Sequence, residues 1–251
     1  MNKKKWVTIA ILPVMWLIYF LFEFLTGRVE NNSETFMMLF LALPFALIGY
    51  LIYALWNKHK NGFSNKTLLW LFAFLMILDQ GAKFIIYKWF FNTQFDIIGN
   101  FLSFQPIINT DGSWINVRFG AGINFGFLII LNLVALVIFF EAYRYYVLNG
   151  HKDFNADMCI VFIMAGALCS LIDKVFYGGS LDFIGISNLF IADFKDIYIN
   201  LAILFFLLCI YFNDYWKDDK PSTLKDDFAS IKKFFIFAKN DLLKNIVKIK
   251  K

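Results

Sequence analysis

The sequence predicts an all-α integral membrane protein of about six transmembrane helices, and three observations carry that prediction. Of 251 residues 60% are hydrophobic and only 17% charged, with 33 Phe, a balance far more apolar than a soluble domain of this length shows. The apolar residues gather into six runs, four of them close to the roughly 20 residues that cross a bilayer. Lys and Arg favour alternate loops. With four Pro, no Ser/Thr-rich or Gly-rich tract and no short internal repeat, one membrane domain is the expected organisation.

Met1 to Lys5 is basic, and Trp6 to Leu25 is apolar apart from Thr8 and Glu23. A secretory leader has a shorter apolar core and a small-residue cleavage site, so this run reads as an uncleaved first span. A polar segment from Gly27 to Thr35 sets Glu30 and Glu34 against Arg28 and leads to the second span, Phe36 to Trp56. The third begins near Thr67, after a loop made basic by Lys58, Lys60 and Lys66, and carries Asp79 and Lys83 toward its far end. A long polar and aromatic region, Phe90 to Gly122, precedes the fourth span, Ile123 to Phe140. Met158 to Ile172 and Ile197 to Phe212 supply the fifth and sixth, both short, with polar ends at the interface. In the tail beyond Asp214, Ile231, Phe235, Leu242 and Ile246 recur at helix-like intervals. They predict an amphipathic helix, lying on the inner membrane surface or solvated.

Placing the N-terminus in the cytoplasm leaves Arg28, Lys83, Lys88, Arg118, Lys174 and Lys195 as the six of 24 Lys and Arg at the outer side. The remainder are inside, as the positive-inside rule requires. Both termini are then cytoplasmic, and the stretch from Gly166 to Asn200, with Asp173, Asp182, Asp193 and Asp196, faces outward.

Several chemistries are excluded. Cys159, Cys169 and Cys209 all fall inside apolar runs, where packing is the expected role and no disulfide framework arises. His59 and His151 stand in separate cytoplasmic loops without an H-E-x-x-H helix, which argues against a zinc protease. No phosphate loop or dinucleotide fingerprint occurs, and no metal or organic cofactor is called for. The net charge of +5 resides in inward loops and tail, a membrane pattern and not a nucleic-acid-binding one.

Acid chemistry at the outer surface remains. Charged groups near the hydrocarbon cost about 2.5 to 3.5 kcal/mol each on insertion scales, so several close together need a shared reason. Two carboxylates a few ångströms apart cannot both ionise easily, so one keeps a proton while the other can activate water. Three readings therefore stand on residue types alone: an acid-pair hydrolase, a proton-coupled transporter using the acids as a relay, and a structural polar network. A fourth is a hydrolase built on Ser170 and Lys174, which are four apart and share a helix face.

Particular motifs resemble those of the lipoprotein signal peptidases, or signal peptidase II, a family of membrane aspartic proteases with four core spans. The family's D-x-x-x-K is matched by Asp79-Gln80-Gly81-Ala82-Lys83, and its N-x-G-x-x-[FW] by Asn109-Thr110-Asp111-Gly112-Ser113-Trp114 with one extra residue. G-A-L-G-N-L-I-D-R followed by V-V-D-F-I is similar to Gly166 through Lys174 and then Ser180 through Ile184. The resemblance covers roughly residues 67–213. It implies a division into 1–66, two additional N-terminal spans; 67–213, a peptidase-like core; and 214–251, a cytoplasmic tail.

The resemblance implies that Asp182 is the first catalytic aspartate. Two registers compete for the second. Ile191-Ala192-Asp193 matches the family's I-A-D, whereas aligning Asp193 with the Asn of N-[LI]-A-D puts Asp196 in the aspartate position. Asp196 is preferred because it stands at the mouth of the last run and gives the longer step from Asp182. Supporting or substrate-binding roles are implied for Asp79, Lys83, Asn109, Gly112, Ser170, Asp173, Lys174 and Asp193. Ser170, Lys174 and Asp193 replace the family's Asn, Arg and Asn; Lys keeps the charge of Arg but not its planar fork. Asp79 and Lys83, in the favourable i, i+4 order, read as a pair that positions the site. Further implications are a small extracytoplasmic β-cradle between spans three and four, consistent with alternation over Phe101 to Ile108; prolipoproteins carrying a diacylglyceryl cysteine as substrate; membrane lipids as partners; and inhibition by globomycin-type cyclic peptides. On this register Asp193→Asn restores the family residue and should be tolerated.

Overall fold

All six apolar runs form helices long and apolar enough to cross a membrane in the computed structural model, which describes residues 3–29, 31–213 and 223–249. Glu30, the stretch 214–222 and the side chains of Trp114 and Ile246 lie outside the described residues. The first run is α1 (Lys3–Leu25). The second is broken into α2 (Asn32–Phe40), capped by the Asn31 side chain, and α3 (Ala42–Lys58). Pro44 accounts for the break, because its ring clashes with the carbonyl of Phe40 four residues back.

Helix α4 (Asn65–Ile85) starts at a Ser64 cap and runs into one π-helical turn over Ile86–Phe90. The short α5 (Trp114–Phe119) precedes α6 (Phe125–Leu148), α7 (Phe154–Phe176), α8 (Phe194–Phe212) and the tail helix α9 (Leu224–Ile249). The fifth and sixth spans are longer than their apolar runs because acids cap them. Asp153 accepts from the amides of Asn155 and Ala156 at the head of α7, and Asp193 and Asp196 form a reciprocal capping box at the head of α8. Residues that hydropathy assigns to the interface are thus helical.

A four-stranded antiparallel sheet closes one end of the bundle, in the order β1 (Phe95–Ile98), β2 (Leu102–Asn109), β3 (Ser180–Ile186), β4 (Phe190–Ala192). The expected cradle lay between spans three and four; only two of the four strands come from there. The other two come from the segment between the fifth and sixth spans, and the pairing of Ile107 with Asp182 joins the halves.

Helices α7 and α8 pack closely: a Cβ on Gly166 would stand 2.8 Å from Ile199 Cγ1. Helix α1 packs on α3, while α4 and α6 each pack on α7 without an extensive contact of their own. Leu12, Ile52, Leu68, Phe154, Val161, Leu204 and Leu208 make the main buried cluster, whereas outward residues such as Leu47, Trp70, Phe74, Ile77 and Ile130 present an apolar belt for lipid. Helix α9 packs on α6 through Arg144 and Asp241, 2.9 Å apart, and through the Tyr145 ring against Phe234 and Phe237. The three cysteines are free thiols within α7 and α8.

Candidate active site

Beneath the sheet, the ends of α4 and α7 and the start of α8 bring charged side chains into one buried cluster. Asp79 and Lys83 share a face of α4 because they are four residues apart. The Lys83 ammonium lies 2.9 Å from Asp79 Oδ2, 2.6 Å from Asp173 Oδ2 on α7, and 2.5 Å from Asp193 Oδ2. Gln80 Nε2 donates to both Asp79 Oδ2 and Asp173 Oδ1 at 3.0 Å, and the Lys195 amide donates to Asp79 Oδ1 at 3.1 Å. The α4 pair therefore locks three helices together, a charged network that tolerates burial because its members are paired and hydrogen-bonded.

On β3, Asp182 projects under the sheet and is almost completely buried. It accepts from Asn109 Nδ2 at 3.1 Å and from the Ser180 hydroxyl. Asp193 caps α8, its Oδ1 accepting from the Asp196 amide at 3.1 Å. Asp196, one turn on, returns its Oδ2 to the Asp193 amide at 3.2 Å. One carboxylate oxygen from each of Asp182, Asp193 and Asp196 lies within 4.8 Å of the others. Exposure separates them: the side chain of Asp196 is 41% exposed, against 4% for Asp182 and none for Asp193.

Such a triad of carboxylates has the spacing of a cation site, and a side chain already supplies positive charge to it. Lys195 Nζ lies 2.5 Å from Asp193 Oδ2, 3.3 Å from Asp182 Oδ1 and 3.9 Å from Asp196 Oδ1, with Ser180 Oγ at 2.5 Å. Burial pushes the Asp182 carboxyl above the usual range; Lys195 opposes the rise and the charge of Asp193 adds to it. Burial acts the same way on Asp193, but Lys195 and Lys83 outweigh it and hold that carboxyl below the usual range. The two carboxyls are thus pushed in opposite directions, Asp182 toward its protonated form and Asp193 toward the anion.

Other predicted residues fall at varied distances from this centre. Asn109 reaches it directly. Gly112 instead makes the turn after β2, with a φ of +68° and Phe125 and Leu128 only 3.1 Å from where a Cβ would be, so its part is conformational. Lys174 Nζ donates to Ser170 Oγ at 2.6 Å, both side chains being buried on α7. Lys195, Ser180 and Gln80 were not among the sequence candidates. Lys195 carries one signal, a basic residue two positions after Asp193 and immediately before Asp196 at the head of an apolar run.

A family model described as signal peptidase (SPase) II matches residues 71–212. Lipoprotein signal peptidases of Staphylococcus aureus strains MRSA252 and JH9 are 31% and 30% identical over 137 residues, which is 54% of this chain and 78% of each relative. A bacterial membrane enzyme solved by the in meso method at 2.3 Å resolution has the same fold, with a TM-score of 0.52 over 66% of this chain and 99% of that one at 23% identity.

Proposed function

Because the chain belongs to the signal peptidase II family, we propose that it is a membrane aspartic endopeptidase that removes the signal peptide from lipid-modified bacterial prolipoproteins. The observation that carries the aspartic reading is the approach of Asp182 and Asp196 within 4.8 Å, one buried and one accessible. Asp193 is the weaker choice for second aspartate, since it is fully buried, caps α8 and is shared by two lysines.

In the proposed reaction Asp182 donates a hydrogen bond from its retained proton to the scissile carbonyl, and Asp196 takes a proton from water. The water oxygen bonds to the carbonyl carbon, and collapse of the tetrahedral intermediate breaks the carbon–nitrogen bond as the leaving amine accepts the proton that Asp196 took from water, which restores the starting acid pair. Lys195 and Asn109 hold the Asp182 carboxyl in place. The substrate's diacylglyceryl chains stay in the bilayer and its signal helix lies against the spans; anchoring supplies orientation at little further entropic cost. The protein is multi-pass in the cytoplasmic membrane with both termini inside and the sheet outside, and globomycin-type peptides enter the same cleft.

Cleavage of a diacylglyceryl prolipoprotein by the wild type and by Asp182→Asn, Asp193→Asn and Asp196→Asn tests both function and register. Loss in the first and last variants is expected; an inactive Asp193→Asn beside an active Asp196→Asn would move the assignment. A second reading rests on the 2.6 Å contact of Lys174 with Ser170, the approach a Ser/Lys hydrolase uses. It requires Ser170→Ala to abolish cleavage and Asp182→Asn to spare it.

A further inference from the structure

The helices before residue 67 take no part in the chemistry above, yet the sheet end of α1 and α2 is bonded to the segment that carries it. Arg28 Nη2 donates to the carbonyls of Asn188 at 2.9 Å and Leu189 at 2.8 Å, both in the turn between β3 and β4. Its Nη1 lies 3.4 Å from Oε2 of Glu23, a fully buried acid near the end of α1. The same oxygen is 3.5 Å from Arg118 Nη2 of α5, which also donates to Thr26 Oγ1 at 2.8 Å. From α2, the Glu34 carboxylate accepts from the Ser187 hydroxyl.

The turn needs such support. Ser187 has a φ of +49°, a left-handed conformation that residues with a Cβ rarely adopt, and β4 has only three residues. Leu189 is buried with Phe20 of α1, Met38 of α2 and Phe101 beside β2, and the Tyr19 ring meets Phe190 edge-on at 5.5 Å. Trp16 Nε1 donates to the Met38 carbonyl at 2.6 Å, tying α1 to α2 behind the contact.

We propose that α1 and α2 are a clamp on the β3–β4 hairpin, with Arg28 the positioning residue that fixes the turn between Asp182 and Asp193, and Glu23 the anion that orients Arg28 and draws in Arg118. The hairpin starts beside Asp182 and ends at the cap of α8, so a tilt about its turn changes the separation of the acids. The catalytic part of this proposal rests on the aspartic reading; the mechanical part does not.

The test uses the full chain in lipid nanodiscs. Amide hydrogen exchange over residues 183–192 and steady-state cleavage are compared for wild type, Arg28→Ala and Arg28→Lys. With Arg28→Ala, exchange in the hairpin rises about tenfold while α7 and α8 are unchanged, and kcat falls about tenfold with KM within about twofold, the signature of misplaced catalytic groups. Arg28→Lys, which keeps a charged donor, recovers part of both. Unchanged exchange in Arg28→Ala overturns the clamp, and raised exchange with wild-type kcat overturns its positioning role. If the wild type does not cleave, the peptidase reading fails while exchange alone still decides the clamp. Should Arg28→Ala not insert, Glu34→Gln is measured in the same way and judged by the same outcomes.

Discussion

Each end of α7 buries acids, and the two ends satisfy them in opposite ways. At the end away from the sheet, Asp157 accepts from Tyr143 Oη and from the Phe63 amide, both at 2.6 Å, and Asp153 accepts from Tyr146 Oη at 2.6 Å as well as from two helix amides. These donors are neutral and largely assigned to one carboxylate each. At the sheet end, Asp173 joins Asp79, Asp182, Asp193 and Asp196 around Lys83 and Lys195, and the lysines are shared among several acids. Dedicated neutral donors satisfy a carboxylate and leave it inert. Fewer cations than acids leave protons to be distributed over the group, the state an acid pair requires.

Substitutions at the two ends should therefore separate activity from stability. The largest effect is expected at the pair itself: Asp182→Asn and Asp196→Asn keep the side-chain shape and lower kcat by about 10³-fold or more, measured as turnover of lipidated prolipoprotein by folded, inserted protein. Wild-type turnover in either variant would remove the distinction between the ends.

Asp193→Asn comes next. Asn caps a helix as well as Asp does, so α8 should still start in place, but Lys83 and Lys195 lose the anion they share. That makes it less benign than the family resemblance implies, with kcat lowered roughly tenfold, since charge-assisted contacts of this kind are worth about 1.5–3 kcal/mol. The pH profile sharpens the test. The negative charge of Asp193 raises the Asp182 pKa, so without it Asp182 gives up its proton at lower pH and the alkaline limb of kcat moves down. Lys195→Ala should do the reverse, because Lys195 lowers the same pKa, and the alkaline limb should move up. Shifts in the same direction would contradict the placement of both groups.

The smallest effect on activity is expected at the other end of α7. Asp157→Asn disturbs one hydrogen-bonded acid remote from the sheet and should lower stability by about 1–3 kcal/mol, read from thermal unfolding. Turnover per folded molecule should match the wild type.

What was legible in the sequence was what neighbours along the chain determine. Six spans follow from local hydropathy and the Asp79–Lys83 pair from a four-residue step, and a short motif singles out Asp182, which the fold carries into the buried cluster. Less visible was anything that joins distant segments. The pairing of Ile107 with Asp182 and of Asn109 with Ser180 puts β3 into the cradle, and no local pattern marks which strand will accept it. The bond from Lys83 to Asp193 crosses from the third span to the sixth. By loop charge alone Lys195 is one outer charge among six. On the first turn of α8 its side chain leans toward the helix N-terminus, as helical side chains do, and its length then carries the ammonium back among the acids.

The capping box that opens α8 also orders events in time. Asp193, Lys195 and Asp196 head the sixth span, whereas Lys83 and Asp79 belong to the third and Asp173 to the fifth. During synthesis a chain halted before residue 193 contains the first five spans and all four strands, together with Lys83, Asp79 and Asp173. It holds Asp182 but no second acid beside it. On the aspartic reading proposed above, the pair is completed only when the last span is in place, and the chain has no paired acids until then.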